Sequence, residues 1–397
     1  MIRPQPGQHR IRRLVAATTA VMTVVAVAGC GGSAADDGSV SAGGTIVLGI
    51  SAPQTGPLAI NSQAADGLEA YFKKVNEAGG VAGYTVETNV VDNQGTVNGG
   101  AQSVRTLLSD DPFAVSVVSS GAFTGATSVL RNQPDMPVLA LSSGAAIDAA
   151  DLDTAYGLFT DYTTESFAAI DALTEMGHSE LALVYDPTFA QESADSDAEY
   201  ADEKGAELVE SIQMPSSSSN YTPAVQKIRS SGADGVILQV AQQGVAGLRK
   251  AAQEAGLDVP MVAYSGNLDA GMIELAGQAA DGLYVTGLFP LLNDSSPAVK
   301  EFRDTMEQYK PGSVSVLGMV GWNAGALIEA GIQRAAKSEE SLTSANFLAA
   351  LEELGGQSIG VLDQVGWTEE AHDSLDGEDT STFTLYQVQD GDFVKVE

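Results

Sequence analysis

This sequence predicts an α/β fold made of two parallel-sheet units, and three observations carry that reading. Short runs dense in Val, Ile and Leu alternate with helical patterns, as βαβ units do when their strands are buried on both faces. The alternation stops at a turn-rich stretch, 145–160, and then begins again. A chain of 397 residues also exceeds what a single hydrophobic core usually organises.

The N-terminal segment stands outside that fold. A basic start with Arg3, Arg10, Arg12 and Arg13 leads into an apolar stretch, 14–27, that ends in Val27-Ala28-Gly29-Cys30, and Cys30 is the only cysteine. Basic, then apolar, then small residues is the secretory leader pattern, and the apolar run is too short to cross a bilayer comfortably. With a cysteine at the cut it resembles a bacterial lipoprotein signal. Residues 1–29 are expected to be removed, and 30–44, with Gly31-Gly32-Ser33 and Gly43-Gly44, to form a flexible tether. The protein is then exported and held at the extracytoplasmic face of the cell membrane by acyl chains on Cys30.

From there strands are expected at 45–51, 85–92, 114–119 and 138–141, with helices at 63–77, 99–109 and 125–133 between them. The first helix is stopped by Asn76-Glu77-Ala78-Gly79-Gly80, where glycine takes the left-handed conformation cheaply. After the turn-rich stretch come strands at 181–185, 208–213, 235–240 and 261–263, separated by helices near 164–176, 193–204, 222–231 and 243–255. Residues 282–287 read as a strand leading back. A long helix over 319–337 follows, whose Gly321, Gly325 and Gly331 permit close packing, and 382–396 return to strand alternation.

The formal net charge is −33, and loss of the leader, which holds four arginines and no acids, moves it to −37. Such a surface repels phosphate backbones and anionic headgroups, which argues against a nucleic-acid partner and leaves the anchor as the membrane contact. With Cys30 committed to lipid the mature chain forms no internal disulfide, so its stability outside the cell rests on its cores.

Thr55-Gly56-Pro57-Leu58-Ala59 follows the first strand, Val75-Asn76-Glu77-Ala78-Gly79-Gly80-Val81-Ala82-Gly83 ends the first helix, and Val91-Asp92-Asn93-Gln94 ends the second strand. Further on come the run from Tyr221-Thr222-Pro223 to Asp234, and Ala280-Asp281-Gly282-Leu283-Tyr284-Val285-Thr286. In this order and spacing, over residues 45–397, they resemble the leucine/isoleucine/valine-binding branch of the type I periplasmic substrate-binding proteins of ABC transporters. The resemblance implies two Rossmann-like lobes joined by a three-crossover hinge. Lobe 1 would hold 45–161 and 289–365 and lobe 2 would hold 162–288 and 366–397, with crossovers near 161–164, 288–293 and 360–368. It also implies a small ligand in the cleft, delivery to the membrane subunits of an ABC permease, a monomer, and no cofactor.

Ligands in open α/β sheets bind at the carboxyl ends of the strands. The loops there are 53–62, 119–124, 142–146, 186–191, 241–244 and 265–269, rich in Ser, Thr, Gly and Asn. The run 119–127 follows a strand and opens a helix, so free backbone N–H groups and the Thr124 hydroxyl are suited to a carboxylate or carbonyl. The family places a serine or threonine here, which Thr124 matches if one residue is deleted, with Gly125 as the competing alignment. Ser143-Gly144-Ala145 forms the matching second turn, where small residues let a ligand approach the chain. By resemblance Phe189 is a pocket aromatic and Asn61 replaces one. Asn267 falls in the segment that often supplies an acid to a ligand ammonium, with Asp269 two residues on. A neutral amide there points to a ligand with a carboxylate or carbonyl and no free ammonium.

Catalysis has little to build on. His178 and His372 read as surface residues, and Asp376-Gly377-Glu378-Asp379 as a solvated acidic loop without calcium-loop spacing. A cysteine nucleophile, a Gly-x-Ser-x-Gly elbow, histidines at metal-ligand spacing and a P-loop are all missing, so no metal site and no enzyme are expected. The expected function is capture of a small polar or amphipathic ligand (amino acid-like, an amide or a small carboxylate) between two lobes. A ligand sensor for a membrane receptor is the alternative, and a cleft enzyme the less favoured one.

Overall fold

The apolar runs of the first half build a parallel sheet. In the computed structural model, which describes residues 39–187, 190–215, 218–337, 341–367, 372–377 and 379–396, a short β1 (Val40–Ser41) precedes β2 (Thr45–Ala52). The leader, Cys30 and Phe189 lie outside the described residues. After β2 come α1 (Ser62–Glu77), β3 (Thr85–Asp92), α2 (Val97–Leu108), β4 (Ala114–Val118), α3 (Ser120–Leu130), β5 (Val138–Leu141), α4 (Gly144–Asp148) and β6 (Ala155–Gly157). Five of the strands pair in parallel in the order β3-β2-β4-β5-β6. β4 and β5 are buried along their whole length, which explains why they are continuous apolar runs.

The second lobe repeats the rhythm with α5 (Tyr162–Glu175), β7 (Glu180–Tyr185), α6 (Gln191–Glu203), β8 (Glu207–Gln213), α7 (Thr222–Ser231), β9 (Gly235–Gln239), α8 (Gln242–Ala255), β10 (Met261–Ala263), α9 (Ala270–Ala276) and β11 (Tyr284–Gly287). The chain then returns to the first lobe as α10 (Pro297–Tyr309), α11 (Val316–Ala335), β12 (Ser341–Leu342) and α12 (Ser344–Glu352). It ends in the hairpin β13 (Thr384–Gln389) and β14 (Asp392–Lys395), which adds antiparallel to β11. The second sheet runs β14-β13-β11-β10-β9-β7-β8. The return to the first lobe is a matter of packing: Val299 and Phe302 of α10, Trp322 and Leu327 of α11 and Phe347 of α12 share one core with Ile46, Leu48 and Ile50 of β2.

The chain leaves the first lobe after β6, returns to it over 288–296, and leaves again before β13, with Leu354, Val365, Trp367 and Leu375 still packed in the first core. The first and third passages are stitched together: Gly157 N donates to His372 O at 2.8 Å, Leu375 N to Phe159 O at 2.8 Å, and Asp161 N to the Asp376 carboxylate at 2.8 Å. Asp376 is fully buried, not solvated as its acid-rich surroundings suggest, because it accepts that amide and the Ser374 hydroxyl at 2.6 Å. His372 likewise departs from a surface reading. It stacks on Tyr156 with centroids 4.3 Å apart, and its Nδ1 lies 2.9 Å from Ala155 O.

Three further differences have physical reasons. Residues 145–160 hold α4 and β6, which at five and three residues are too short to show a period. The helix expected from 125 begins at Ser120, because the cap at Ser119 outweighs the poor helix propensity of Ser120-Gly121. Two residues of the expected tether, Val40–Ser41, are paired antiparallel with β12, so the chain is already ordered there.

Candidate ligand-binding cleft

In the first lobe the wall is built around the start of α3. Ser119, between β4 and α3, adopts φ 84° and ψ 137°, a backbone conformation that costs a non-glycine residue about 1–3 kcal/mol. Two bonds hold it there: Ser119 N donates to Leu141 O at 3.0 Å, and its side chain accepts from Ala122 N at 3.4 Å. The result is a helix N-terminus, with its amides and positive dipole end, at the carboxyl end of the sheet. Ser120 joins this tip to the next turn, since its Oγ accepts from Ser143 N at 3.2 Å and lies 3.4 Å from Ser143 Oγ. Gly144 follows; a Cβ there would stand 3.0 Å from Asp161 Cβ and 3.1 Å from Asp373 Oδ2, so the first and third crossovers close against this turn.

In the second lobe Tyr162 opens α5 and Tyr264 follows β10, their rings edge to face at 5.7 Å and 88°. Burial raises both phenols well above their ordinary range. Beside them are Asp186, 4 % exposed, whose N donates to Gln239 O at 2.9 Å, and Gln239 itself, buried, with neither side-chain amide atom partnered among the described residues. Glu165, one turn into α5, is fully buried. Its carboxyl accepts from Ser265 N, from Thr286 Oγ1 at 3.0 Å and from Thr160 Oγ1 at 3.3 Å.

The sequence-derived candidates distribute unevenly over these walls. Ser143 and Gly144 form the turn against Ser120, and Ala145 lies in α4. Thr124 lies one turn beyond the tip, exposed, with its hydroxyl donating to Ser120 O at 3.0 Å. Gly125, the competing position, is a helix contact: a Cβ there would stand 1.8 Å from Val97 O. Asn61 caps α1 without a side-chain bond, half-buried, beside Leu58 and Ile60, which are 42 % and 60 % exposed. Asn267 is fully buried, its amide donating to Val240 O and Tyr264 O at 3.2 Å each, and Asp269 caps α9 by accepting from Gly271 N at 2.7 Å. Ser119 and Ser120 fall within the 119–127 run without being singled out, and Tyr162, Glu165 and Tyr264 were not among the candidates. Ser120 and the two tyrosines sit at helix starts and strand ends, the signal that would have found them; the strain at Ser119 and the burial of Glu165 have no local sequence signature.

The chain matches the family model described as periplasmic binding protein over residues 45–392. Leu/Ile/Val-binding protein homolog 1 of Brucella melitensis is 26 % identical over 299 residues, which cover 71 % of this chain and 76 % of that protein. A branched chain amino acid ABC transporter protein from Thermus thermophilus, solved with bound valine, superposes with a TM-score of 0.75 at 20 % identity, over 89 % of this chain and 95 % of that one. A solute binding protein of an ABC transporter from R. palustris, in complex with 4-hydroxybenzoate, gives 0.71 at 17 % identity, over 89 % and 96 %. Two parallel-sheet lobes, three crossovers and a family match over residues 45–392 agree: the protein belongs to the type I periplasmic binding protein family.

Proposed function

We propose that this protein is the lipid-anchored solute receptor of an ABC importer, closing its lobes on a small carboxylate or amino acid-like molecule and presenting it to the permease. The observation that carries the ligand class is the uncharged, donor-rich tip of α3. There Ser119 is held in a strained conformation and Ser120 is joined to the Ser143-Gly144-Ala145 turn, an arrangement suited to a carboxylate or carbonyl. Thr124 stands behind that tip, and Asn61 and Asn267 flank the ligand space from either lobe. The apolar or aromatic remainder of the ligand would rest on Tyr162, Tyr264 and Phe189. Valine and 4-hydroxybenzoate, bound by two structural relatives, have a carboxylate in common.

The neutral amide of Asn267 does not decide the ligand's charge, because its NH2 is bonded to Val240 O and Tyr264 O, and Asp269 is committed to a helix cap. Both carboxylates with and without an ammonium therefore belong in the test. Purified lipid-free protein would be screened by thermal shift against amino acids, their 2-oxo counterparts, amides, aromatic acids and sugars, since a ligand that binds only the native state raises the melting temperature. A rise with one class of carboxylates is expected. Shifts with sugars alone, or with none of the carboxylates, would overturn the reading.

A further inference from the structure

We propose that Glu165 is a positioning residue of the cleft: its carboxyl ties the second lobe's ligand wall to the hinge, and the proton it carries sets how firmly that wall is held. Three bonds make the case. One oxygen takes the Ser265 amide, which begins the turn after Tyr264, and also Thr286 Oγ1, two residues before the second crossover. The other takes Thr160 Oγ1 in the first crossover. The third crossover contributes Asp376, whose negative charge acts on the same carboxyl. One side chain thus bonds the first passage, feels the charge of the third, and holds the strand that leads into the second.

The site is built to tolerate both protonation states. Hydroxyls are rotors, and Thr286 Oγ1 already has a second acceptor in Ala263 O at 3.3 Å, so it can turn away when the carboxyl becomes a donor. The groups facing Glu165 are acids or phenols on each side: Tyr162 on its own helix start, Tyr264 on the β10 turn and Asp376 on the third crossover, with Asp161, Asp373 and its neighbour His372 further along. Burial, opposed by the Ser265 and Thr286 bonds and reinforced by Asp376, pushes the carboxyl up to about 7. An acid raised in this way favours the native arrangement while it is protonated. That contribution is complete below its ordinary value of 4.5 and is lost as pH rises to about 7. Above that, openings that admit water to Glu165 become more frequent.

Hydrogen exchange of the 261–269 segment, corrected for intrinsic exchange, tests this without any ligand, so a failure leaves the solute-receptor reading untouched. Between pH 5.5 and 8.5 protection in the wild type should fall by about thirtyfold, the ratio given by a shift from 4.5 to about 7. Glu165→Gln should show a flat profile and Glu165→Ala low protection throughout. Should either variant fail to fold, the wild type labelled with 13C in its glutamates and 15N in its serines answers alone. The Ser265 amide should then move with the same midpoint, near 7, as the Glu165 carboxyl. A Glu165 titrating in the ordinary carboxylate range, a Ser265 amide that does not follow, or parallel exchange profiles in wild type and Glu165→Gln would overturn the proposal.

Discussion

At the tip of α3 two hydroxyls one turn apart have different tasks. Ser120 stands at the helix start bonded to the second turn, whereas Thr124 is committed to the Ser120 carbonyl. Removing a partner from a buried polar group costs about 1–3 kcal/mol, so Ser120→Ala should weaken ligand binding by that amount in calorimetry. Thr124→Ala should cost about 0.5 kcal/mol or less, since only a back-bond within the helix is lost. A larger effect at Thr124 would return the ligand contact to that residue. The difference marks how much of the site could be read beforehand. The loop was legible as a candidate, because it follows a strand and opens a helix, although Ser, Thr and Gly there also serve as caps and turns. Which hydroxyl stands at the helix start was not, since the start is decided by Ser119 held strained against Leu141. Asn267 teaches the same lesson: its place at a strand end was legible, but not that its amide would be bonded to Val240 O after β9 and to Tyr264 O after β10.

Among the elements, the contact of α1 with α11 shows a small-residue pattern turned into geometry. A Cβ at Gly321 would stand 1.7 Å from Ala64 O, and one at Gly67 2.0 Å from Gly318 O, so the helices meet backbone to backbone. Relief would require moving a helix. Gly321→Ala should therefore destabilise the protein by about 3 kcal/mol, at the upper end of overpacking costs. Gly312→Ala, with open space around it, should be neutral or stabilising by about 0.5 kcal/mol in denaturant unfolding. Equal effects would mean that the helices can separate. The parallel strands were legible at this scale, because burial on both faces leaves continuous apolar runs. The packing role of Gly321 was legible too, from its place in a helical pattern. α10 and α12 were passed over, although α10 begins with the readable pair Ser296-Pro297, where the Ser296 side chain caps Val299 N at 3.4 Å.

For the whole molecule, two structural halves and one tether define the account. The expected lipid on Cys30 predicts that the wild type follows the membrane or detergent phase and Cys30→Ala the aqueous phase; equal partitioning of the two would remove the anchor from the account. The two-lobe plan was legible because the βαβ rhythm restarts, but the return of α10–α12 to the first core is a long-range packing fact that no local pattern encodes. That return creates the second and third crossovers and with them a hinge. The central claim, that the lobes close on a solute, meets its most direct test in solution scattering of the lipid-free protein with and without the carboxylate that raises its melting temperature. Saturating ligand should reduce the radius of gyration, because closure brings two lobes together about the crossovers. An unchanged radius with ligand demonstrably bound would contradict the account.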